Sequence, residues 1–346
     1  MWITASCGVL LACIAVGVNA QQKTAGPAAD VTLRPVSVAV LRDPVDKSYR
    51  KMLNGMDLFE RMHGLAPNAS LRFKLLPRRA DTDMNGIVLS IDADSVSIPV
   101  ALAPDRSFTL TRDQKAVAED AAVTSNRKAL SMTWRAEIRT PGLPPGTRRL
   151  GDLRLECHVG MEADLVSSER PSFFRAPANP VLRQRGYCEK SPPGYLFFAE
   201  RPLFSVALVS GARRQVLPVD ELYAGASRGE TSKTDLTYCD CQVLLDRTYY
   251  VPLGDQSWPD DTLIEFEYMD DASNPPAAAA ASRSDVLAAM GRATVVRFDS
   301  GYEIWVYRSE EPPAQGKVTA RTERVVLFSP SGPVMKKRVS SFPAAT

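Results

Sequence analysis

The chain has 346 residues, enough for two or three domains of roughly 150 residues each, and its 45% hydrophobic and 24% charged content excludes disorder. The 42 Lys and Arg against 40 Asp and Glu give a formal net charge of +2, which excludes the basic footprint of a phosphate-backbone binder, so no nucleic-acid partner is expected. The 26 prolines outnumber the 20 glycines, and only two histidines occur; this favours short strands between rigid loops and leaves little for histidine-dependent chemistry.

At the amino end no charged side chain precedes Lys23, and residues 7–18 (CGVLLACIAVGV) form one apolar run. Its length is that of a signal-peptide h-region and short for a membrane span. Val18-Asn19-Ala20 sets small residues where a signal peptidase reads, so residues 1–20 read as a signal peptide and the expected location is the periplasm. A competing reading takes Leu10-Leu11-Ala12-Cys13 as a lipobox, with Cys13 lipidated and the product an outer-membrane lipoprotein anchored there. In both readings the mature chain has no transmembrane domain.

Residues 31–170 are expected to form a β-sandwich-like domain carrying one helix. Asp43 is a good N-cap, Pro44 suits the first helical position and Gly64 is a stop, which predicts a helix over 44–63. Val45, Tyr49, Met52, Met56 and Phe59 form its apolar stripe, and His63 follows at the helix end, where a structural role is expected. Alternating strands are then expected at 71–76, 86–91, 96–102, 107–111, 132–138 and 152–159. The last of these, within LRLECHVGM, would place Leu153, Leu155, Cys157, Val159 and Met161 on one face and His158 on the other. Between two strands, Asp81-Thr82-Asp83-Met84-Asn85-Gly86 with Asp92 at the twelfth position approximates a calcium loop. Its strand-like flanks favour a polar hairpin turn with Asn85-Gly86 at the tip, so Asp81, Asp83, Asn85 and Asp92 stand as a weak calcium candidate and no metal is assigned.

Residues 171–194 are punctuated by proline and read as a connection. With Cys7 and Cys13 inside the signal, Cys157, Cys188, Cys239 and Cys241 remain, an even number suited to disulfides in an exported protein. Cys157–Cys188 is the expected pair because the proline-rich break lets Cys188 fold back; the cross-pairings with Cys239 and Cys241 stay open. A zinc site from Cys239, Cys241, Cys157 and His158 lacks the usual spacing.

A second β-rich stretch over 195–271 is either a second domain or the completion of the first. It ends in acidic chain, with Asp255, Asp260, Asp261, Glu265, Glu267, Asp270 and Asp271 and no Lys or Arg over 254–282. The expectation is a solvated strand face and loop, the alternative a docking patch for a basic partner. Residues 272–282 (ASNPPAAAAAS) read as a linker. Over 283–340, Ser284 is placed to cap a helix DVLAAM stopped by Gly291, and strands follow with Ser300-Gly301 and Ser331-Gly332 at turn positions. The expectation is a small α+β unit, one helix on an antiparallel meander.

The tail SDVLAAMGRATVVRFDSGYEIWVYRS, followed by ERVVLFSPSGPVMKKRV, resembles the SmpA/OmlA (BamE-like) domain of bacterial outer-membrane lipoproteins. The positions that carry the resemblance are Val286, Met290, Gly291, Trp305, Tyr307 and Phe328, in about one sixth of the chain. The resemblance implies a noncatalytic envelope role with docking to outer-membrane assembly components. Residues 31–270 suggest no family.

Other chemistry is hard to place. Gly225 to Thr234 (GASRGETSKT) looks glycine-rich, but Ser232 stands where a phosphate loop needs glycine. No G-x-S-x-G elbow occurs, and a serine relay would have to use His63 or His158. Glu265 and Glu267 could flank a sugar, yet an exposed strand face does nothing to raise one of their pKa values. No catalytic residue and no cofactor is assigned. The expected fold is mainly β, with one or two β-sandwich-like domains, an N-terminal helix and the α+β tail. The expected function is that of an exported envelope protein acting as a binding or assembly module with other envelope proteins. The alternatives are a periplasmic hydrolase or a calcium- or glycan-binding sandwich.

Overall fold

Among the described residues strand outnumbers helix, 38% to 22%, and every strand pairing is antiparallel. A computed structural model of the chain describes residues 44–128, 130–166, 186–191, 194–228, 244–271, 281–310 and 320–343. Its strands in the first half are β1 Pro44–Ser48, β2 Ser70–Pro77, β3 Leu89–Asp92, β4 Ser97–Val100, β5 Ser107–Phe108, β6 Ala122–Lys128, β7 Met132–Arg139 and β8 Thr147–Arg149. Those of the second half are β9 Phe197–Phe198, β10 Leu203–Ser210, β11 Arg213–Val216, β12 Thr248–Tyr249, β13 Leu263–Tyr268, β14 Thr294–Arg297, β15 Glu303–Glu310, β16 Ala320–Phe328 and β17 Val334–Pro343. The helices are α1 Tyr49–Met62, α2 Gln114–Ala118, α3 Leu150–Glu162 and α4 Arg283–Met290. The sheets run β1-β6-β3-β4, β5-β2-β7, β11-β10-β13-β8, β12-β9 and β14-β15-β16-β17.

The first helix forms where its apolar stripe lies, but it starts later than expected. The Ser48 hydroxyl accepts from the Lys51 N–H and caps α1, while Pro44 lies in β1, paired with Lys128 of β6. The backbone of 44–48 is used in the ladder, so the helix starts at Tyr49 instead of 44; Asp43 lies outside the described residues. Tyr49 and Met52 are buried and Met56 and Phe59 pack beside them. Behind α1, Phe73, Phe108 and Trp134 fill the first core, with the Phe108 and Trp134 rings edge to face at 5.8 Å. The segment 81–88 is not a hairpin: β2 pairs with β5 and β7, and β3 with β4 and β6, so it connects two sheets.

The expected strand at 152–159 is a helix. Residues 150–162 form α3, and its two faces enter two different cores. Leu150, Leu153 and Cys157 lie in one, Leu155, Val159 and Ala163 in the other. Apolar residues on every second position imitate a half-buried strand; here they arise because a helix buried on both sides needs apolar residues all round. His158 is half-buried beside Glu189, with Nε2 3.0 Å from the Glu189 carboxylate.

The second core gathers β9, β10, β12, β13 and one face of the tail sheet. Leu203, Val206 and Leu208 of β10 meet Ile264 of β13, and Val296, Ile304, Val306, Val325 and Leu327 of the tail belong to the same cluster. The tail itself is the expected helix and meander. Its helix is capped by Ser282 in a capping box with Asp285, two residues before the expected Ser284, and Gly291 ends it. The turns fall at Gly301 and Gly332, both at positive φ. Residues 272–280 of the expected linker lie outside the described residues.

Candidate functional site

Cys157 and Cys188 form a disulfide, with Cα atoms 6.0 Å apart. Burial of Cys157 on α3 and the return of the chain at Cys188 bring the two together. Cys13, Cys239 and Cys241 lie outside the described residues.

The residues of the candidate calcium loop are each engaged separately. Asp81 takes the Arg79 guanidinium at 3.1 Å, and Asp83 accepts from the Asn85 N–H at 2.9 Å. Asp92 sits on the outer face of β3, where it accepts from Ser97 at 2.8 Å and from the Ser90 and Thr124 hydroxyls. Burial pushes its carboxyl up, but the three hydroxyl donors outweigh this and hold it below its ordinary value. Among the described residues no group of three or more His, Cys, Asp or Glu is placed to hold a metal ion. His63 is fixed by the Ala69 carbonyl, 3.0 Å from its Nε2.

The acidic stretch meets cations from distant parts of the chain. Asp260 pairs with Arg154, Asp270 and Asp271 with Arg201, Glu265 with Arg214 and Glu267 with Lys336. What reads in sequence as an acidic run is, in three dimensions, largely a set of intramolecular ion pairs.

In the tail, the Trp305 ring packs on Phe328 at 4.9 Å and its Nε1 donates to Glu303 at 2.5 Å. Tyr307 donates to the Gly291 carbonyl at 3.2 Å, tying β15 to the end of α4. Val286 is the inward residue of α4, while Leu287 and Met290 are 47% and 37% exposed. The meander is joined to the rest of the fold through Glu323, which is fully buried. Glu323 accepts from the Val219 N–H at 3.0 Å and from Arg338 at 3.2 Å, and Arg338 also donates to the Leu217 carbonyl. Burial lowers the Arg338 pKa, and Glu323 opposes that shift.

A further collection of charge, with Arg135, Arg148 and Glu156 buried, lies at the seam between the two cores. There β2 and β7 meet β9 and the chain around α3, in a small cleft lined by Lys74, Arg135, Arg139 and Arg148 and by Glu137, Glu156 and Glu200. Arg148 is 4% exposed and donates through Nη2 to the Glu156 carboxylate at 2.6 Å and to the Ile138 carbonyl at 2.8 Å. Burial acts to discharge it, but Glu156, Tyr249 and Asp152 together outweigh burial and raise its pKa above the ordinary value. Lys74 donates to Glu137 at 3.0 Å, and Arg139 reaches Glu137 at 3.4 Å and Glu200 at 3.1 Å. The Arg135 guanidinium lies over the Phe198 ring at 4.4 Å. Below the cleft, burial pushes the Tyr195 and Tyr249 hydroxyls well above their ordinary pKa values. In sequence only the alternation of Arg72, Lys74, Arg135, Glu137 and Arg139 hints at this charged face; register pairs Lys74 with Arg135 and Arg72 with Glu137 across β2 and β7.

No protein-family model, no curated protein and no solved structure matches the chain.

Proposed function

We propose that this is an exported, noncatalytic envelope protein that works as a binding or assembly module, located in the periplasm or anchored to the outer membrane through Cys13. The observation that carries the reading is the Cys157–Cys188 disulfide, since disulfides persist in oxidising compartments and are rare in reducing ones. The signal-like apolar run at 7–18 supports the same route.

Two further features support binding over catalysis. In the charged cleft Glu137, Glu156 and Glu200 each meet a cation, an arrangement suited to fixing geometry. The tail, with its resemblance to the SmpA/OmlA (BamE-like) domain, carries α4 with Leu287 and Met290 facing solvent, a surface suited to docking envelope partners such as outer-membrane assembly components.

Fractionation of cells making the full chain tests the route. Release with the periplasmic contents supports the soluble form. Membrane retention abolished by Cys13→Ala or by inhibition of lipoprotein signal peptidase supports the anchored form, and a cytoplasmic location in all cases rejects export. Crosslinking in intact cells tests the module: outer-membrane assembly components should be captured by the full chain and lost on Leu287→Glu with Met290→Glu. Equal capture by both forms, or none by either, rejects the tail as the docking element.

A further inference from the structure

We propose that residues 217–228 form a sprung turn latched by the tail sheet, so that turn and tail open as one unit and displacement of the tail lets the turn relax. This goes beyond the envelope reading and holds whatever the tail docks to.

The spring is in the backbone. Tyr223, Ala224 and Gly225 are three consecutive residues in the left-handed region, at φ of 57°, 52° and 76°. Glycine takes that conformation freely, but a residue with a Cβ adopts it at a cost, and Tyr223 is a bulky one. Tyr223 is fully buried and Ala224 is 1% exposed, so the surrounding structure holds them in a conformation that the free chain avoids.

The latch is in the tail. Arg308 of β15 donates through Nη2 to the Asp220 carboxylate at 2.6 Å and to the Ser227 hydroxyl at 3.3 Å, while Ser227 itself donates to Asp220 at 2.7 Å. One arginine of the tail thus clasps residues 220 and 227 together across the strained triplet. Strands β16 and β17 hold the approach to the turn, where Glu323 accepts from the Val219 N–H at 3.0 Å and Arg338 donates to the Leu217 carbonyl at 3.1 Å. Phe298, which follows β14, packs on the Tyr223 ring at 4.8 Å. From the rest of the fold, the Leu203 carbonyl accepts from the Tyr223 hydroxyl and Leu222 bridges to Tyr249. Those contacts hold the first strained residue and the one before it, and the Arg308 clasp closes the far side.

Turn and tail are therefore linked in both directions. Charge-assisted bonds from the tail offset the backbone strain, and strain left unopposed drives the turn out of the left-handed region. Such a coupling is reciprocal: what loosens the tail loosens the turn, and what strains the turn further loosens the tail. A partner that binds the tail only in its displaced position would release the turn.

Hydrogen exchange read by mass spectrometry on the full chain follows the two parts separately. Arg308→Gln should speed exchange over 219–228 about 10-fold or more, with α1 and β2 unchanged; if that variant does not fold, Asp220→Ala opens the same clasp from the side of the turn. Gly225→Ala, which adds a Cβ at a φ of 76°, should speed exchange in the turn and by a similar factor at 306–309 of β15 and 321–324 of β16. Ala224→Gly added to Arg308→Gln should slow exchange in the turn about 2- to 5-fold, because it removes the penalty of the left-handed backbone. Unchanged exchange over 219–228 in the folded Arg308→Gln protein overturns the latch, as does an equal rise throughout the chain or a turn loosened by Gly225→Ala beside an unaltered tail. Faster exchange on adding Ala224→Gly, the ordinary effect of glycine, overturns the spring.

Discussion

At the scale of single residues, buried arginines organise this molecule. Arg154 on α3 donates to the main-chain carbonyls of Leu253, Asp255 and Trp258 and to the Asp260 carboxylate, so one side chain holds the loop that precedes β13. Arg154→Met should lower stability by about 3–5 kcal/mol, because it leaves several buried acceptors without donors; urea unfolding followed by tryptophan fluorescence measures this. Asp92 gives a pH signature. Its folded pKa lies below the ordinary 3.8, so its contribution is complete above that value and is lost as pH falls through the lower, folded pKa. Thr124→Val removes one of the donors that depress it. The variant should therefore lose less stability on acidification than the parent, seen as a flatter dependence of the urea midpoint on pH below 3.8. Neither role was legible in the sequence. An arginine in an apolar helix and an aspartate in a strand show their partners only when loops distant along the chain come together.

At the scale of elements, α3 is the part that departs most from its sequence pattern. Its alternation at Leu153, Leu155, Cys157 and Val159 looks like a strand, yet two cores need apolar residues from both of its sides. The glycines of α3 confirm how closely it is surrounded: a Cβ on Gly151 would lie 2.1 Å from the Leu65 carbonyl oxygen. Gly151→Ala should destabilise by about 1–3 kcal/mol or more, while Gly64→Ala, with open space around it, should be close to neutral; thermal unfolding of the pair checks the contrast. The Cys157–Cys188 bond closes a loop of sequence separation 31, for which chain entropy gives roughly 3–4 kcal/mol. Cys188→Ser, or full reduction, should lower the unfolding free energy by that order. The elements that the sequence did show plainly were those with one wet and one dry side. The stripe of α1 and the alternation of β2, with Phe73 and Leu75 buried between partly exposed neighbours, have that asymmetry, and binary patterning records it. Boundaries were less legible. Ser48 rather than Asp43 begins α1, and Ser282 rather than Ser284 begins α4, because competing strand pairing and a capping box decided between neighbouring polar residues.

At the scale of the whole molecule, charge and apolar surface are shared between distant stretches. Asp260, Glu265, Glu267, Asp270 and Asp271 are answered by Arg154, Arg201, Arg214 and Lys336, so the run that suggested a basic partner finds four cations within the chain. The tail shares the second core through Val296, Ile304, Val306, Val325 and Leu327 and is joined by the buried pair of Glu323 and Arg338. A fragment of residues 281–346 made alone should therefore expose that apolar face, bind a hydrophobic dye and lack a cooperative thermal transition. A sharp transition with dispersed amide resonances would show that it is independent. By itself, the sequence determined the mainly β class, the α1 stripe and the helix-and-meander tail, since each rests on local periodicity or turn chemistry; it favoured the pairing of Cys157 with Cys188 and left the cross-pairings open. Only the tertiary structure decided that α3 is a helix between two cores, that most of the acidic run is ion-paired from within, and that a charged cleft forms at their seam. Those features depend on what lies on the far side of each residue, and a pattern read along one chain records burial on one face but not the identity of the group that supplies it.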